Sequence, residues 1–369
     1  MLTIGVVGAS GFIGNRAIEM LHQEGMTVRP IVRNFDRLER FAAMNLNGYV
    51  ANAFDSATLE KAFRGCDVVI HSVLGSPGLI RGSVAPAYHA AQRAGVRRLI
   101  YLSSMIVHTS APVIGTTEAS PPVKNQPHFP THVAKIDAEQ KLLRLREKGA
   151  VETVIFRPGI VFGPRSRWIA DLAAQLSQGN AYLINGGTGI CNTVYVDNLI
   201  HAIRLAMTAE KADGEAFFVG DRERVTWVDF YRFFAEALSI DSAQITQLTV
   251  PEFNHSWKQQ LIDSVWNSEI SQRALALISD DLKQTIKRTI PKPMYKSTQN
   301  DWEVTKPQPV VSEMMAILQQ SQYKLPFDKA EKLLGYKPIV TFNEGCHRSL
   351  EWLMACDHNF PILTNQTTK

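Results

Sequence analysis

The sequence predicts an α/β protein in which helices cover both faces of a doubly wound, parallel sheet. Short apolar runs alternate with helical patterns over the first 160 residues, and these runs lack the polar alternation of half-exposed strands. A glycine-rich turn joins the first run to the first helical pattern. After about residue 165 the alternation weakens, which predicts a smaller, mostly helical C-terminal lobe over the carboxyl ends of the strands.

Apolar runs set the expected strands, and the helical patterns between them set the expected helices. The strands are predicted at Thr3–Val7, Val28–Val32, Gly48–Ala51, Val68–Ile70, Leu99–Leu102 and Thr153–Phe156. The helices between them are predicted at Asn15–Glu24, Ala57–Phe63, Ala85–Ala94 and Val133–Glu147. Strands that alternate with helices pair in parallel, because each helix returns the chain to the same edge of the sheet.

Composition places the chain among ordinary globular proteins. Its 369 residues are 45% hydrophobic and 20% charged, and 39 basic against 35 acidic side chains leave a formal net charge of +4. This small charge is a weak reason to expect nucleic acid, and we expect none as a partner. The sequence has no apolar run of about 18 residues, so we expect no membrane span.

The cysteines and the N-terminal residues indicate the cellular compartment in which the protein is expected. The four cysteines do not stand at metal-ligand spacings, so we expect packed thiols and no metal site. Scattered thiols in a long chain suit a reducing environment, and no secretory signal is visible before the first strand. The sequence therefore predicts a cytoplasmic protein.

The turn after the first strand carries the strongest functional signal. It reads Gly8-Ala9-Ser10-Gly11-Phe12-Ile13-Gly14. In a strand–turn–helix unit, one glycine permits the tight turn, one lets the backbone approach a pyrophosphate, and one lets helix and strand pack closely. The amide groups at the helix N-terminus then face the phosphate. We therefore predict a Rossmann-type dinucleotide site here, with Gly8, Ser10, Gly11, Phe12, Ile13 and Gly14 as contacts.

The end of the second strand bears on the choice of nicotinamide cofactor. An acid there would bind a ribose 2′-hydroxyl, whereas this strand ends at Arg33, about 20 residues after the last glycine. A charge-assisted contact between arginine and a 2′-phosphate is worth roughly 1.5–3 kcal/mol. We therefore predict NADP(H), with Arg37 as a second contact, while Asp36 keeps NAD(H) open.

These signals divide the chain into two parts. Residues 1–165 are expected to form the NAD(P)-binding Rossmann domain, to which 190–216 returns. Residues 166–189 and 217–369 are expected to form the substrate-binding lobe, with a helix over 255–289 and a loop over 291–309. Trp257, Trp266 and Trp302 in this lobe suggest an acceptor that is broader or more apolar than a simple sugar.

Several motifs resemble the extended short-chain dehydrogenase/reductase family, and in particular its NAD-dependent epimerase/dehydratase branch. The resemblance spans nearly the whole chain, and its motifs are Gly8-x-x-Gly11-Phe-Ile-Gly14, Val68–His71, Leu99–Ser104, Arg157–Pro164, Tyr195–Asn198 and Leu334–Pro338. Such motifs are highly specific for fold and poor guides to substrate. The resemblance implies an oxidoreductase fold, a small-molecule substrate and a homodimer.

The resemblance also implies roles for individual residues. Ser104 would hold the substrate carbonyl or alcohol, and Lys135 would bind the cofactor ribose. Asn52 stands where the family has an acid that touches adenine, with Ala53 beside it. Pro158 and Ile160 would face the nicotinamide through backbone groups.

One position departs from the family pattern. The family's catalytic tyrosine stands four residues before the lysine, and here that position is Thr131. None of the nine tyrosines has a lysine four residues later, so a shifted register does not restore the pair. An aliphatic hydroxyl is far less acidic than a phenol, so Thr131 cannot simply replace it. Its neighbour His132, together with His108 and Ser104, is the alternative candidate for the proton transfer.

Two other readings of this departure stay open. Either the substrate or the second lobe supplies the acid/base group, or the site no longer transfers hydride. The first hypothesis is therefore an NAD(P)-dependent oxidoreductase or epimerase that acts on an alcohol or ketone carbon of a sugar, nucleotide-sugar or secondary metabolite. The alternative is a dinucleotide-binding protein without hydride turnover, serving as a sensor, a scaffold or a redox-neutral isomerase or cyclase.

Overall fold

A computed structural model describes residues 2–126, 128–253 and 309–356 of the chain. The predicted helix over 255–289, the predicted loop from 291 to 308, and Trp257, Trp266 and Trp302 lie outside the described residues.

A seven-stranded parallel sheet is the centre of the described chain. The strands of the described residues, seven of which form this sheet, are β1 (Thr3–Val7), β2 (Thr27–Val32), β3 (Tyr49–Val50), β4 (Val68–His71), β5 (Arg98–Leu102), β6 (Glu152–Pro158), β7 (Ile160–Phe162), β8 (Tyr182–Ile184), β9 (Thr193–Tyr195), β10 (Ala216–Val219) and β11 (Thr246–Leu248). The central sheet has the order β10-β6-β5-β4-β1-β2-β3, and every pair in it is parallel. All six strands predicted from the apolar runs are present, and the predicted doubly wound α/β class is confirmed.

Helices connect these strands. Within the described ranges they are α1 (Phe12–Gln23), α2 (Glu39–Ala42), α3 (Ser56–Phe63), α4 (Pro77–Arg93), α5 (Pro130–Lys148), α6 (Arg167–Ser177), α7 (Val196–Ala206), α8 (Trp227–Ala237), α9 (Glu313–Leu318), α10 (Asp328–Leu334) and α11 (Phe342–Cys356). Helix α4 begins eight residues before the predicted Ala85. The dipeptide Pro77-Gly78 is a turn signal in sequence. The first turn of a helix nevertheless accepts proline, because an amide at that position would have no hydrogen-bond partner within the helix. The Ser76 hydroxyl caps this start by accepting from the Leu79 amide at 3.4 Å.

Apolar residues on consecutive positions of the strands reach opposite faces of the sheet. Val6 packs in a core with α1, α7 and α10, whereas Val7 packs in a second core with α3, α4 and α5. Both faces are therefore buried, which is why the strands read as continuous apolar runs. A third core joins α6, α8, α9 and α11 and includes Phe162 and Trp227.

The domain division expected from the sequence differs from the packing in two places. Residues 217–219, which were expected in the lobe, belong to strand β10, where Phe217 is the register partner of Phe156 on β6. Helix α10 also packs on the core of the central sheet, through Ala330 and Leu334. The physical reason is that β10 completes the hydrogen bonding of β6, and α10 covers the apolar face that results.

Candidate active site

The glycine-rich turn lies where the strand order of the sheet reverses. Strand β1 pairs with β2 on one side and β4 on the other, so the chains leaving β1 and β4 diverge to opposite halves of the sheet. Ligands of open α/β sheets bind in the crevice that such a divergence creates. The turn at Gly8 follows β1, and Ser72 follows β4 beside it.

Two of the three glycines are required by the local geometry. Gly8 has a φ of 83°, in the left-handed region that favours glycine, and a Cβ there would stand 2.9 Å from the Ser72 carbonyl oxygen. A Cβ on Gly14 would stand 2.4 Å from the Gly8 carbonyl oxygen and 2.7 Å from Ser72 Oγ. That hydroxyl is held in place because it donates to the Val7 carbonyl at 2.8 Å. The turn is therefore pressed tightly against β4.

The start of α1 is suited to an anion. Gly11 is its N-cap and is exposed, no side chain caps the helix, and no acidic residue occupies the first turn. The first amides of a helix have no partner within it, so those of Phe12 and Ile13 are donors at the positive end of the helix dipole. Ser10 is exposed beside them. This arrangement fits the pyrophosphate of a dinucleotide, which such helix starts bind.

Arg33 lies at the end of β2 with its side chain exposed. It makes no hydrogen bond or ion pair with the described residues, whereas nearby Arg40 donates to Asn15 Oδ1 at 2.8 Å. Arg37 and Asp36 are also exposed. A guanidinium without a protein partner is available to an anionic group of a ligand.

Asn52 and Ala53 follow β3 and are half-buried. The Asn52 side-chain carbonyl accepts from the Phe54 amide at 3.0 Å, which leaves the amino group as the side-chain donor for a ligand. Asp55 caps α3, because its carboxylate accepts from the Ala57 amide at 2.9 Å.

The segment from Pro158 to Ile160 is expected to face the nicotinamide through backbone groups, but its two amides are already hydrogen-bonded within the protein. The Gly159 amide donates to the Val219 carbonyl at 3.3 Å, and the Ile160 amide donates to the Asn192 carbonyl at 2.7 Å. Proline has no amide proton, so no amide in this segment is spare. A ligand contact here would use carbonyl oxygens or side chains.

Ser104 and Lys135 lie on adjoining elements at the carboxyl end of β5. Ser104 is half-buried and caps a short 3₁₀ turn, with its hydroxyl accepting weakly from the Ile106 amide at 3.4 Å. The Lys135 ammonium donates to the Leu102 carbonyl at 2.6 Å, two residues before Ser104 in the chain. It also lies 5.1 Å from the centre of the Tyr101 ring. The structure therefore brings the lysine to the last residue of β5, two residues before the serine.

Burial alters the acidity of Lys135. Its side chain is 3% exposed, and burial lowers its pKa to about 8, with the nearby Glu139 carboxylate opposing the shift. Thr131 is half-buried in the first turn of α5, one helical turn before this lysine. Side chains four residues apart on a helix share a face.

The two candidate histidines have protein partners. His132 Nδ1 lies 2.9 Å from Gln126 Oε1, and the ring stacks on Phe129 with the centres 4.9 Å apart. His108 Nε2 lies 3.1 Å from an Arg157 guanidinium nitrogen. Burial lowers the pKa of both rings to about 4, and for His108 the charge of Arg157 adds to the effect.

A buried ion pair beneath the site was not predicted from the sequence. Arg157 donates to both carboxylate oxygens of Glu139, with the closest contact at 2.7 Å, and both side chains are buried. The same guanidinium donates to the Glu118 carbonyl at 3.0 Å. Glu139 stands four residues after Lys135 on α5, so its helical spacing was the available signal.

A cavity of about 320 Å³ lies beside the start of α5. It is lined by the loop before that helix and by Ile317 of α9, and its wall includes Thr109, Ser110, Val123, Gln126 and Phe129. The Ser110 hydroxyl is buried and has no hydrogen-bond partner among the described residues. The cavity therefore combines the apolar side chains of Val123, Phe129 and Ile317 with polar residues that also include Asn125 and His128.

A parallel sheet with a glycine-rich turn where its strand order reverses is typical of Rossmann-type dinucleotide-binding proteins, and here a serine and a lysine lie at the end of β5. Residues 4–220 match the model of the NAD dependent epimerase/dehydratase family, and the chain belongs to that family. The predicted family is thereby confirmed.

Similar proteins act on varied substrates. A 4-hydroxy-2-methyl-3-oxo-4-farnesyl-3,4-dihydroquinoline-1-oxide ketoreductase from Stigmatella aurantiaca is 24% identical over 292 residues, covering 74% of this chain and 83% of the relative. A decarboxylating sterol-4-alpha-carboxylate 3-dehydrogenase from Mus musculus is 22% identical over 365 residues, covering 94% and 89%. UDP-glucose 4-epimerase from Thermotoga maritima shares the fold, with a TM-score of 0.68, 18% identity and coverage of 96% and 99%.

No helix in the described ranges is long and apolar enough to cross a membrane. Those ranges also hold no cluster of three or more histidine, cysteine, aspartate or glutamate side chains that could hold a metal ion.

Proposed function

We propose that this protein is an NADP(H)-dependent oxidoreductase that acts on an alcohol or ketone carbon of a predominantly apolar metabolite. The observation that carries the proposal is the Lys135 ammonium bound to the carbonyl of Leu102, the last residue of β5 and two residues before Ser104, in a protein whose first turn is shaped for a pyrophosphate. When bound, the nicotinamide ring would supply or accept the hydride.

The chain's own residues would bind and orient both ligands. The start of α1 would hold the pyrophosphate, because the first amides of the helix and the positive end of its dipole are directed at the negative charge of the phosphates. Ser104 would donate to the substrate oxygen from its place at the end of β5, and Lys135 would supply a positive charge next to it. Pro158 and Ile160 would line the nicotinamide side of the crevice.

An apolar substrate is supported by two features. The cavity beside α5 presents the apolar side chains of Val123, Phe129 and Ile317 together with polar lining residues, among which the Ser110 hydroxyl has no partner among the described residues. Two relatives of this chain are named for a farnesylated quinoline oxide and for a sterol carboxylate, and both substrates are largely apolar. Sugars and nucleotide-sugars remain within the wider class that the family implies.

The test is NADPH oxidation by the purified protein with a panel of sterol-like, alkyl β-keto and quinoline ketones, alongside nucleotide-sugars. Turnover of an apolar ketone with kcat/KM at least tenfold above that of any nucleotide-sugar is the expected result. Turnover of nucleotide-sugars alone would contradict the substrate class. A dinucleotide that copurifies and survives dialysis would indicate instead a redox-neutral cycle such as epimerisation.

A second candidate function is dinucleotide binding without hydride turnover. Thr131 in the place of the family's tyrosine is the observation that favours it. Tight NADPH binding with no turnover across the whole panel would support this candidate. We also propose a homodimer on the family resemblance, which light scattering of the purified protein would test. We propose a cytoplasmic location on the scattered thiols, which suit a reducing environment.

Arg33→Asp should shift the cofactor preference from NADPH towards NADH by about ten- to a hundredfold, because an arginine–phosphate contact is worth roughly 1.5–3 kcal/mol. Aspartate would repel a 2′-phosphate and could accept a hydrogen bond from a ribose hydroxyl. The ratio of the two dissociation constants, from fluorescence titration, measures the effect. Arg64→Ala, at an exposed arginine after α3, is the matched control and should leave the ratio unchanged. An unaltered ratio in Arg33→Asp would show that another residue selects the cofactor.

A further inference from the structure

The oxidoreductase proposed above needs a proton donor, and the position of the family's donor is held by Thr131. Groups that exchange protons near neutral pH in enzymes are mainly histidine, acidic side chains, lysine, tyrosine and cysteine. Neither Thr131 nor Ser104 belongs to this set. Among the described residues, the candidates for the donor are therefore the titratable side chains around them.

The neighbouring histidines and tyrosine are directed elsewhere. His132 is paired with Gln126 and stacked on Phe129, and His108 is paired with Arg157. The Tyr101 hydroxyl is buried with no partner among the described residues, and burial raises its pKa far above the ordinary range. None of these three groups is placed to release a proton at the end of β5.

Lys135 is placed there. Its ammonium donates to the Leu102 carbonyl at 2.6 Å, so it lies at the carboxyl end of β5, which Ser104 follows by two residues. Thr131 precedes it by one helical turn on the same face of α5, and a threonine fills much less space than the tyrosine of the family. The Lys135 side chain is 3% exposed, and a substrate oxygen held by Ser104 would meet no phenol ring between it and the amine.

We infer that the Lys135 amine is itself the acid/base group, exchanging a proton directly with the substrate oxygen. This inference rests on the proposed function. In the direction of reduction, the carbonyl carbon accepts a hydride as NADPH is oxidised to NADP⁺. The electron pair of the C=O π bond moves to the oxygen, an N–H bond of the Lys135 ammonium breaks, and an O–H bond forms. The neutral amine then recovers a proton from water.

The surroundings of the amine suit this exchange. The groups that face it are His71 on β4, Tyr101 on β5 and Glu139 on its own helix, and Glu139 is itself paired with Arg157 on β6. On helix α4, which packs against α5, the charge of Arg81 is paired with Asp137 at 2.9 Å. His71 is buried and its pKa is lowered to about 4 by burial and then by Lys135, so it stays neutral at physiological pH. Burial lowers the pKa of Lys135 to about 8, a value at which both protonation states are accessible.

Lys135→Arg is the variant that tests the inference. Arginine keeps the positive charge, but its guanidinium does not release a proton in this pH range. We expect kcat for ketone reduction to fall at least a hundredfold, because general acid catalysis contributes about 10²–10⁴-fold. The dissociation constant of NADPH should change less than about fivefold, since the charge near the ribose is retained. Lys148→Arg, the same substitution at the exposed end of α5, is the control and should have the wild-type kcat.

The pH dependence adds a signature that a merely structural lysine would not show. The donor must be protonated for reduction, so kcat of the wild type should be constant below pH 7 and fall tenfold per unit well above a midpoint near 8. Alcohol oxidation should rise over the same interval. The side-chain ¹⁵N resonance of Lys135, assigned by its loss in Lys135→Arg, should titrate with the same midpoint when NADPH alone is bound.

Three results would overturn the inference, and they are distinguishable. If the wild type turns over a ketone and Lys135→Arg keeps its kcat and pH profile, Lys135 is not the donor while the proposed function stands. If the ¹⁵N resonance shows no titration below pH 10, the amine cannot exchange a proton near neutrality. If the wild type binds NADPH and turns over no carbonyl, the proposed function fails and the assignment of Lys135 fails with it.

Discussion

Arg157→Met is expected to lower the free energy of unfolding by about 3–5 kcal/mol, because it leaves the Glu139 carboxylate buried without its partner. Both side chains are less than 10% exposed, and the guanidinium contacts both carboxylate oxygens. The substitution also removes the contacts from Arg157 to His108 and to the Glu118 carbonyl. Urea unfolding followed by circular dichroism measures the change.

The double variant Glu139→Leu, Arg157→Met is the control that isolates the unpaired charge. Replacing both members of a buried ion pair by apolar residues of similar size is often close to neutral. The double variant should therefore be more stable than Arg157→Met alone. The stability of Arg157→Lys should lie between those of Arg157→Met and the wild type, because lysine keeps the charge and loses the paired contact. An Arg157→Met protein within about 1 kcal/mol of the wild type would mean that the carboxylate finds another partner, with Lys135 the nearest cation on the same helix.

Gly11→Val is expected to weaken NADPH binding at least about a hundredfold, or about 2.7 kcal/mol, while leaving the protein folded. The backbone of Gly11 has φ −77° and ψ 168°, which a valine adopts without strain. Its Cβ would meet only the Gly8 carbonyl, at 3.2 Å, and the rest of the side chain would project over the start of α1. A branched side chain there would keep the pyrophosphate from the helix amides. Fluorescence titration with NADPH and thermal unfolding measure the two effects.

Gly14→Val provides the contrast to this prediction. A Cβ on Gly14 would stand 2.4 Å from the Gly8 carbonyl oxygen, so we expect this variant to lose stability or fail to fold. Two glycines of one motif should thus separate binding from folding. Wild-type affinity in a folded Gly11→Val protein would place the dinucleotide phosphates elsewhere.

The strand pattern and the glycine turn could be predicted from the sequence because their signals are local. A parallel strand buried on both faces must be apolar at consecutive positions, so Thr3–Val7 was predicted with its observed bounds. The turn requires glycine at Gly8 for its φ and at Gly14 for close packing, and both requirements are visible in the residue types. The absence of the tyrosine before Lys135 was equally visible, because the motif has a fixed spacing.

The partners of the polar side chains could not be predicted in this way. His132 was a candidate by its place in the sequence, although a helical turn over 131–135 would direct it away from Lys135. The structure pairs its ring with Gln126, six residues earlier, a partner that the residue types do not specify. The amides of Gly159 and Ile160 are taken by Val219 and Asn192, which are distant in sequence. The Arg157–Glu139 pair joins strand β6 to helix α5 across 18 residues of the chain.

The sequence by itself thus determined the family, the dinucleotide turn, and the departure at Thr131, since each depends on residue types at short spacings. Only the tertiary structure decided which proton carriers are free to act. Burial of Lys135 against the Leu102 carbonyl lowers its pKa towards neutrality, while His108 and His132 are held by other side chains. The physical reason is that acidity depends on desolvation and on neighbouring charges, which are set by contacts between residues far apart in the chain.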